Sequence, residues 1–373
     1  MAQWLNWGDG HSGSPNAISG TVNTYATCTG TAGQTVLTTT LSASAGDQIL
    51  IHQTQHASAA GTWEIVKVSS DAGATLNLYT ALVNSYSTGA QAVLIPQYTG
   101  GTISGAVTGT AWNGTVGGII ALMSNGDLII SGSISSIGSD GKSGVSGGAL
   151  SPDNGGGFRG GWCDDGVNST GLQGESPIGA GAQSSNANGS GGGAGGGNAN
   201  FNAGGGGGNG AAGAAATGSG ATNGAGGGTA GNAELTNIVF GGGGGGATGV
   251  ASSNQCSGAN GGGIVFIIAK NTTITGTLNV NGGGHNLNNY RVIGGGGAGG
   301  SVLIKTQNAV LGTNKITASG GVTTDDGEQS GDGGVGRIRC DYFTSVSGST
   351  TPTLSSAQDL TLNLPSSNFF AFF

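Results

Sequence analysis

The segment from Ser139 to Gly261 is largely glycine, without any regular period, and it constrains the fold more than any other part of the chain. Glycine loses more backbone entropy on folding than any other residue and has no side chain that could recover the loss by packing. If this segment is ordered, hydrogen bonds between backbones must hold it. Polyglycine II is such an arrangement: its helix has about three residues per turn and no internal hydrogen bonds, so all N–H and C=O groups point to neighbouring helices.

A polyglycine II lattice predicts positions at which no side chain can stand between adjacent backbones. We place these positions in the two longest glycine runs, 204–208 and 241–246. The predicted lattice residues are Gly204, Gly206, Gly241 and Gly244. The alternative is a flexible insertion, which is what glycine-rich sequence usually forms.

Composition excludes several other classes of protein. The 85 glycines in 373 residues exceed average usage about threefold, yet six prolines and the missing Gly-X-Y period exclude collagen. Only 7% of residues are charged, which is unlike most disordered chains. The formal net charge is −8, and the nine Lys and Arg residues form no basic stripe, so we expect no nucleic-acid partner.

Residues 1–115 are predicted to form a separate N-terminal β module. Short β-branched and apolar runs alternate there with turn residues, which is typical of a meander of antiparallel strands. The runs are Gln48–Gln53, Thr62–Val68, Thr75–Tyr79 and Ala90–Ile95. We expect a small SH3-like barrel that serves for attachment or as a spacer.

An internal repeat organises residues 116–350. Its copies begin at Gly117, Gly262, Gly299 and Gly334, and each reads as a strand, a polar break, a second strand and a glycine exit. We interpret each copy as a β-hairpin, and because one hairpin is marginal alone, the copies should stack into a β-sandwich or a β-helix-like array. The glycine-rich segment 139–261 is then an insertion, and the whole chain is all-β.

The apolar strands of this repeat leave one question open. In residues 119–123 both alternating sets are apolar: Ile119, Ala121 and Met123 on one side, Ile120 and Leu122 on the other. Either set can face the core shared with 264–268 and 302–304, and both faces can be covered if the glycine insertion packs on one of them.

The two ends of the chain are predicted assembly elements. Trp4 and Trp7 crowd the N-terminus, and residues 351–373 form an apolar tail. The aromatic residues of the tail are Phe369, Phe370, Phe372 and Phe373. An uncharged aromatic segment suits addition to an exposed sheet edge of a neighbouring subunit, giving a homo-oligomer or polymer. Docking on its own chain is the alternative.

Polar clusters give weak indications of chemistry. Asp325, Asp326, Glu328 and Asp332 could hold Ca²⁺ through hard oxygen ligands, but we favour a solvated turn between strands. Asp153, Asp164, Asp165 and Glu175 could include a glycosidase-like pair, although no strand-borne cleft accompanies them. The four histidines have no metal-ligand spacing. We therefore predict no catalytic residues, no metal, no cofactor and no enzymatic activity.

The sequence also bears on location. The N-terminus lacks the basic and apolar regions of a Sec-type signal, and no apolar run approaches the roughly 20 residues of a membrane span. A composition rich in Gly, Ser, Thr and Asn suggests a protein that works outside cells. We expect an extracellular or virion-surface location without membrane spanning.

The motifs GGGFRGG (155–161), GGGIVFIIAK (261–270) and GGVGRIRCDY (333–342) resemble glycine-rich phage tail-tip and environmental cell-surface proteins. The resemblance covers roughly residues 117–345. Distal tail-fibre adhesins of T-even-type phages belong to this group, and the resemblance implies a polyglycine II lattice with receptor recognition through loops. The strand repeats and the N-terminal module of this chain depart from those adhesins.

These observations favour a non-enzymatic, self-assembling fibre or adhesive protein. Its expected setting is a virion tail fibre, and its expected partner is a cell-surface receptor or glycan. The alternative is the subunit of a bacterial extracellular filament, and the third possibility is a β-helical polysaccharide depolymerase.

Overall fold

The chain folds as an all-β protein. The computed structural model describes residues 7–142, 150, 155–163, 170–196, 202–218, 220, 222–248, 257–286, 293–324 and 330–362. Within these ranges there is one 3-10 turn, Leu360–Leu362, no α-helix, and therefore no helix able to cross a membrane. The strands are β1 Tyr25–Gly30, β2 Val36–Thr39, β3 Gln48–Gln53, β4 Trp63–Asp71, β5 Thr75–Leu78, β6 Ala90–Ile95, β7 Gln97–Tyr98, β8 Gly101–Ile103, β9 Ala106–Thr108, β10 Ile119–Ile130, β11 Ser133–Ser135, β12 Ile264–Ile274, β13 Thr277–Asn279, β14 His285–Asn286, β15 Ser301–Thr317, β16 Thr323–Thr324, β17 Arg337–Thr351 and β18 Ser355–Gln358.

The first six strands close into an antiparallel barrel in the order β1-β2-β5-β4-β3-β6. Burial alternates along β2, β4 and β5, as expected when one face of each strand points into a barrel. Leu37, Ile49, Val66 and Leu76 are among the fully buried residues of the interior. The predicted small N-terminal barrel is confirmed.

The repeat copies stack, and they do so in parallel. Strands β10, β12, β15 and β17 open the four copies and lie side by side, with Ile119 opposite Ile264 and Ile264 opposite Ser301. The second strands stack likewise, with Ile134 opposite Leu278 and Leu278 opposite Ile316. Each copy is thus one coil of a curled ten-stranded sheet.

The predicted hairpins are therefore corrected to parallel coils. In the described residues, β10 pairs with β12, β7 and β8, and it does not pair with β11. The physical reason is the path of the chain. Each glycine-rich excursion returns the chain to the end where the previous copy began, so equivalent strands run in the same direction.

Both apolar faces of the parallel sheet are buried. Ile120 and Leu122 lie inside the coil with Val265 and Ile267. Ile119, Ala121 and Met123 lie on the other side, in a second core that includes Leu50 and Val93 of the barrel and Phe158 and Phe240 of the glycine-rich segment. The question left open by the sequence is thus settled in favour of two covered faces, as is usual for parallel sheets.

The sheet extends beyond the predicted domain limits. Strands β7 to β9 pair with β10 and β11, so the barrel ends at Ile95 and the sheet begins before residue 116. At the other end β17 runs to Thr351 and pairs with β18, so part of the predicted tail belongs to the sheet. Residues 363–373 lie outside the described part of the chain.

Candidate functional site: the glycine bundle

The hydrogen bonds of Gly241–Gly246 repeat every third residue. These six N–H groups donate at 2.9–3.1 Å to the carbonyl oxygens of Gly262, Gly208, Glu175, Ala259, Gly205 and Leu172 in turn. Their own carbonyl oxygens accept at 2.8–3.2 Å from the N–H groups of Phe158, Ala298, Gly192, Gly161, Gly295 and Gly195. Every third residue therefore faces the same neighbouring segment.

This segment consequently has six neighbours, three that accept its hydrogen bonds and three that donate to it. Three residues per turn with all backbone groups directed outward is the geometry of polyglycine II. We call this array the glycine bundle. Its described segments include 155–161, 171–176, 190–196, 202–208, 211–218, 222–228, 241–247, 257–263, 281–286, 293–300, 318–324 and 330–336.

The bundle requires glycine for steric reasons. A Cβ atom at any of Gly241–Gly246 would lie within 3.0 Å of a backbone carbonyl oxygen of a neighbouring segment, closer than real Cβ atoms approach. None of these six residues has a positive φ, so backbone conformation is not the reason. The predicted lattice residues all lie in such positions: the nearest atoms are Gly245 O for Gly204, Asp332 O for Gly206, Ala298 O for Gly241 and Gly295 O for Gly244.

One end of the bundle, which we call the near end, is hydrogen-bonded to the barrel. The turn at Pro177 accepts a hydrogen bond from the His56 N–H at 2.8 Å. The turn at 229–237 is held twice, by Asn237 Nδ2 donating to Ala60 O at 2.6 Å and by Trp63 Nε1 donating to Leu235 O at 2.9 Å. Successive segments run away from this end and return to it.

The opposite or far end is closed by asparagine side chains. Asn202 Nδ2 donates to Gly196 O at 2.7 Å, and Asn202 Oδ1 accepts from the Thr222 N–H at 3.0 Å. The Asn202 backbone N–H bonds to Thr248 O at 3.2 Å. One residue thus ties three segments together where the lattice stops, which satisfies backbone groups that would otherwise lack partners.

Six times the described chain both leaves the bundle and re-enters it at the far end. The last described residues on either side of these connections are 163 and 170, 196 and 202, 218 and 222, 248 and 257, 286 and 293, and 324 and 330, with residue 220 also described. Backbone bonds such as Gly331 N–H to Gly204 O at 2.9 Å hold segments from distant parts of the sequence at this level. Six connections therefore start from one rigid platform.

An ion pair with a buried carboxylate lies beside the near end. Arg159 Nε donates to Glu175 Oε2 at 3.0 Å, and the Glu175 side chain is 1% exposed. The same carboxylate accepts from Trp112 Nε1 and from Gln55 Nε2, both at 2.9 Å. Glu175 thus locks the bundle to the barrel and the sheet, and its oxygens are already occupied. Asp153, Asp164 and Asp165 lie outside the described residues.

A second buried polar network joins the barrel to the bundle. His52 Nε2 donates to Ile238 O at 2.8 Å, and His52 Nδ1 accepts from the Thr54 hydroxyl at 2.8 Å. Gln91 Nε2 in turn donates to Thr54 Oγ1 and to Gly117 O. Burial lowers the pKa of His52 to about 4, so this imidazole is neutral at physiological pH.

The sequence reasoning missed these interlocking residues. His52 stands in β3, the strand QILIHQ, whose six residues are all buried, and Gln55 lies two residues after its end. Polar side chains in a buried strand need partners, and that was the available signal. It could indicate that partners exist but not which segment supplies them.

The predicted assembly and metal residues have mixed outcomes. Trp7 is 6% exposed and lies in the core between the barrel and the sheet, which argues against its expected role as an assembly element. Asp332 Oδ1 accepts from the Thr323 N–H at 2.7 Å and from the Thr323 hydroxyl at 2.9 Å. Among the described residues there is no group of three His, Cys, Asp or Glu that could hold a metal ion. The remaining predicted residues lie outside the described part: Trp4, Asp325, Asp326, Glu328, Phe369, Phe370, Phe372 and Phe373.

Comparison of the chain with family models, with curated proteins and with solved structures finds no match.

Proposed function

We propose that this chain is a non-enzymatic adhesive protein that binds a cell-surface receptor or glycan at the far end of the glycine bundle. The proposal rests on one observation. Six chain connections start from the same end of a lattice that is hydrogen-bonded throughout, while the opposite end is locked to the barrel and the sheet. This division favours a scaffold with one end available for contacts.

The physical argument concerns rigidity. Binding costs free energy when flexible parts of a protein must be ordered, and a preorganised platform reduces that cost. The bundle fixes the start and the end of each connection through backbone hydrogen bonds, so this platform needs no ordering when a partner binds. Recognition residues on loops held by a rigid scaffold are a common arrangement in binding proteins.

The rest of the chain has roles that fit this proposal. We assign the barrel to attachment or spacing, because the near end of the bundle is fastened to it. The setting we propose is a virion tail fibre or a related surface fibre, with several copies of the chain assembled together. A bacterial extracellular filament would use the same scaffold for subunit contacts instead of receptor binding.

The experiment blocks each end of the bundle separately. Thr222→Cys gives an exposed attachment point at the far end, and Ala180→Cys gives one in a turn near the barrel. Each variant is biotinylated and covered with streptavidin, and its adsorption to a panel of bacterial cells and to a glycan array is measured. The wild type treated with the same reagent controls for labelling of native cysteines.

We expect the streptavidin at position 222 to abolish adsorption and the streptavidin at position 180 to leave it unchanged. Equal adsorption by both covered variants would exclude the far end as the binding surface. Absence of adsorption by the untreated protein across the panel, combined with polymer formation seen by electron microscopy, would favour the filament.

A further inference from the structure

We propose a second binding site, a groove on the outside of the barrel that takes a neutral saccharide. The groove has a volume of about 510 Å³ and lies where β1, β2 and the segment before β6 meet the start of the sheet. Most of its lining residues are threonines, and Gln55 lies among them. The proposal does not depend on the far end of the bundle, which lies elsewhere on the molecule.

The floor of the groove is a regular array of threonines. Thr29 on β1 lies directly opposite Thr38 on β2, and the same antiparallel register sets Thr27 opposite Thr40. Cys28 and Thr39 alternate with them and point to the buried side. Directly opposite side chains are about 5 Å apart, and the next residues on the same face are about 6.7 Å along the strand. Four exposed hydroxyl groups thus stand in two pairs.

Most of these hydroxyl groups are free to bind a ligand. The Thr39 hydroxyl donates to Thr27 O at 2.9 Å, and the Thr115 hydroxyl donates to Asn113 Oδ1 at 2.7 Å. Within the described residues the hydroxyls of the other lining threonines make no hydrogen bond to the protein. These are Thr27, Thr29, Thr38, Thr40 and Thr88. Each can both donate and accept, and each carries a methyl group beside the hydroxyl.

Gln55 supplies an oriented acceptor at one end of the groove. Its Nε2 donates to Glu175 Oε1 at 2.9 Å and to Ser176 O at 3.2 Å, so both amide protons are used. Since Glu175 is itself held by Arg159 and Trp112, the Gln55 side chain is fixed before any ligand arrives. Its Oε1 remains as the acceptor for a ligand hydroxyl. Pre-fixed groups of this kind give a site its orientation and specificity.

The lining indicates which ligand chemistry fits. No Asp, Glu, Lys, Arg or His lines the groove, so a charged ligand would lose water without gaining a counter-charge. No aromatic side chain is present for stacking a nucleobase. An added peptide strand would need a free sheet edge, but the barrel is closed and β1 pairs on both sides. An uncharged ligand with many hydroxyls and exposed C–H faces meets both the hydroxyl and the methyl groups.

The test titrates neutral oligosaccharides into the full-length protein. The probes are trisaccharides of glucose, galactose, mannose and N-acetylglucosamine, with sialylated and sulfated sugars as charged comparisons, followed by calorimetry or ligand-observed NMR. The variant is Thr29→Val/Thr38→Val, which removes two hydroxyls while keeping a β-branched side chain on each strand. The matched control, Thr24→Val/Thr80→Val, makes the same change at two exposed threonines outside the groove.

We expect at least one neutral trisaccharide to bind the wild type and the control equally, and to bind the groove variant about tenfold or more weakly, because two hydrogen bonds are lost. Thermal unfolding should be the same for all three proteins. The proposal is overturned if no neutral sugar binds, if only charged sugars bind, or if the groove variant binds as tightly as the control. Streptavidin at Thr222→Cys should leave this binding intact, so failure of the far-end proposal and failure of this one are distinguishable.

Discussion

Replacing Gly244 with alanine should destabilise the protein although it adds only one methyl group. The new Cβ would lie within 3.0 Å of both Gly295 O and Gly296 O, which are backbone atoms and have no rotamer to change. The segment 293–300 would have to move away. That movement would stretch the hydrogen bonds from Gly295 N–H to Gly245 O and from Ala298 N–H to Gly242 O, at present 2.8 and 2.9 Å.

The magnitude follows from these contacts. Overpacking costs about 1–3 kcal/mol, and each weakened backbone hydrogen bond costs about 1 kcal/mol. Alanine also lowers the conformational entropy of the unfolded chain, which stabilises the folded protein by about 0.4–1 kcal/mol. We expect the free energy of unfolding to fall by a net value of about 2–4 kcal/mol, a large fraction of the about 5–15 kcal/mol of a typical domain.

Gly228→Ala is the matched control within the same bundle. A Cβ at this position meets its nearest atom, Gly189 O, at 3.4 Å, which is an ordinary contact, and the residue has no positive φ. We expect this variant to be neutral or more stable by about 0.4–1 kcal/mol.

The assay is unfolding in guanidinium chloride, followed by circular dichroism and tryptophan fluorescence. A shift of the midpoint at constant slope reports stability. A Gly244→Ala protein as stable as the wild type would refute the close approach of backbones on which the lattice rests. Equal destabilisation by both substitutions would show that any side chain in the bundle is harmful, whatever its neighbours.

Three further perturbations test other parts of the structure. Burial lowers the pKa of His52 from 6.5 to about 4, so the unfolded chain binds a proton at a higher pH than the folded protein does. The free energy of unfolding should therefore be full above pH 6.5 and fall by about 3 kcal/mol as the pH drops to 4. In unfolding experiments a His52→Gln variant should depend less on pH. Glu175→Ala leaves the guanidinium of Arg159 without its buried partner and should lower the free energy of unfolding by about 3–5 kcal/mol. Glu234 is exposed, so Glu234→Ala should change it little. An equal loss of stability in the two variants would contradict the role given to the Glu175 ion pair. The amides of Gly241–Gly246 should exchange with deuterium far more slowly than a random coil, and coil-like rates in mass spectrometry would rule out the lattice.

The sequence predicted the repeat and the glycine lattice because both follow from local rules. The spacing of Gly117, Gly262 and Gly299 marks equivalent points of successive copies, and glycine is the residue that a backbone lattice requires. The hairpin interpretation failed because a strand, a break and a second strand look the same in a hairpin and in a parallel coil. The long connections between copies were the better signal, since parallel strands need them.

Other features depend on contacts between distant segments. Nothing near Trp7 indicates that it is buried against the sheet, because the barrel that covers it comes later in the chain. The pairing of Gly331 with Gly204 is likewise invisible, since all glycines are alike as hydrogen-bonding groups. The Glu175 carboxylate accepts hydrogen bonds from Arg159, Trp112 and Gln55, which come from three separate parts of the chain. Only folding brings these residues together.

The lattice of the glycine bundle has a consequence for how such a protein can change over evolutionary time. Its central hydrogen bonds join backbone atoms only, so they do not depend on which side chains the connections at the far end carry. Residues there can be exchanged, inserted or removed without altering the donor or acceptor of any central bond. The lattice therefore separates two kinds of position: residues of the connections can vary without affecting the central bonds, whereas a glycine whose Cβ would meet a neighbouring backbone, such as Gly244, cannot be replaced without loss of stability.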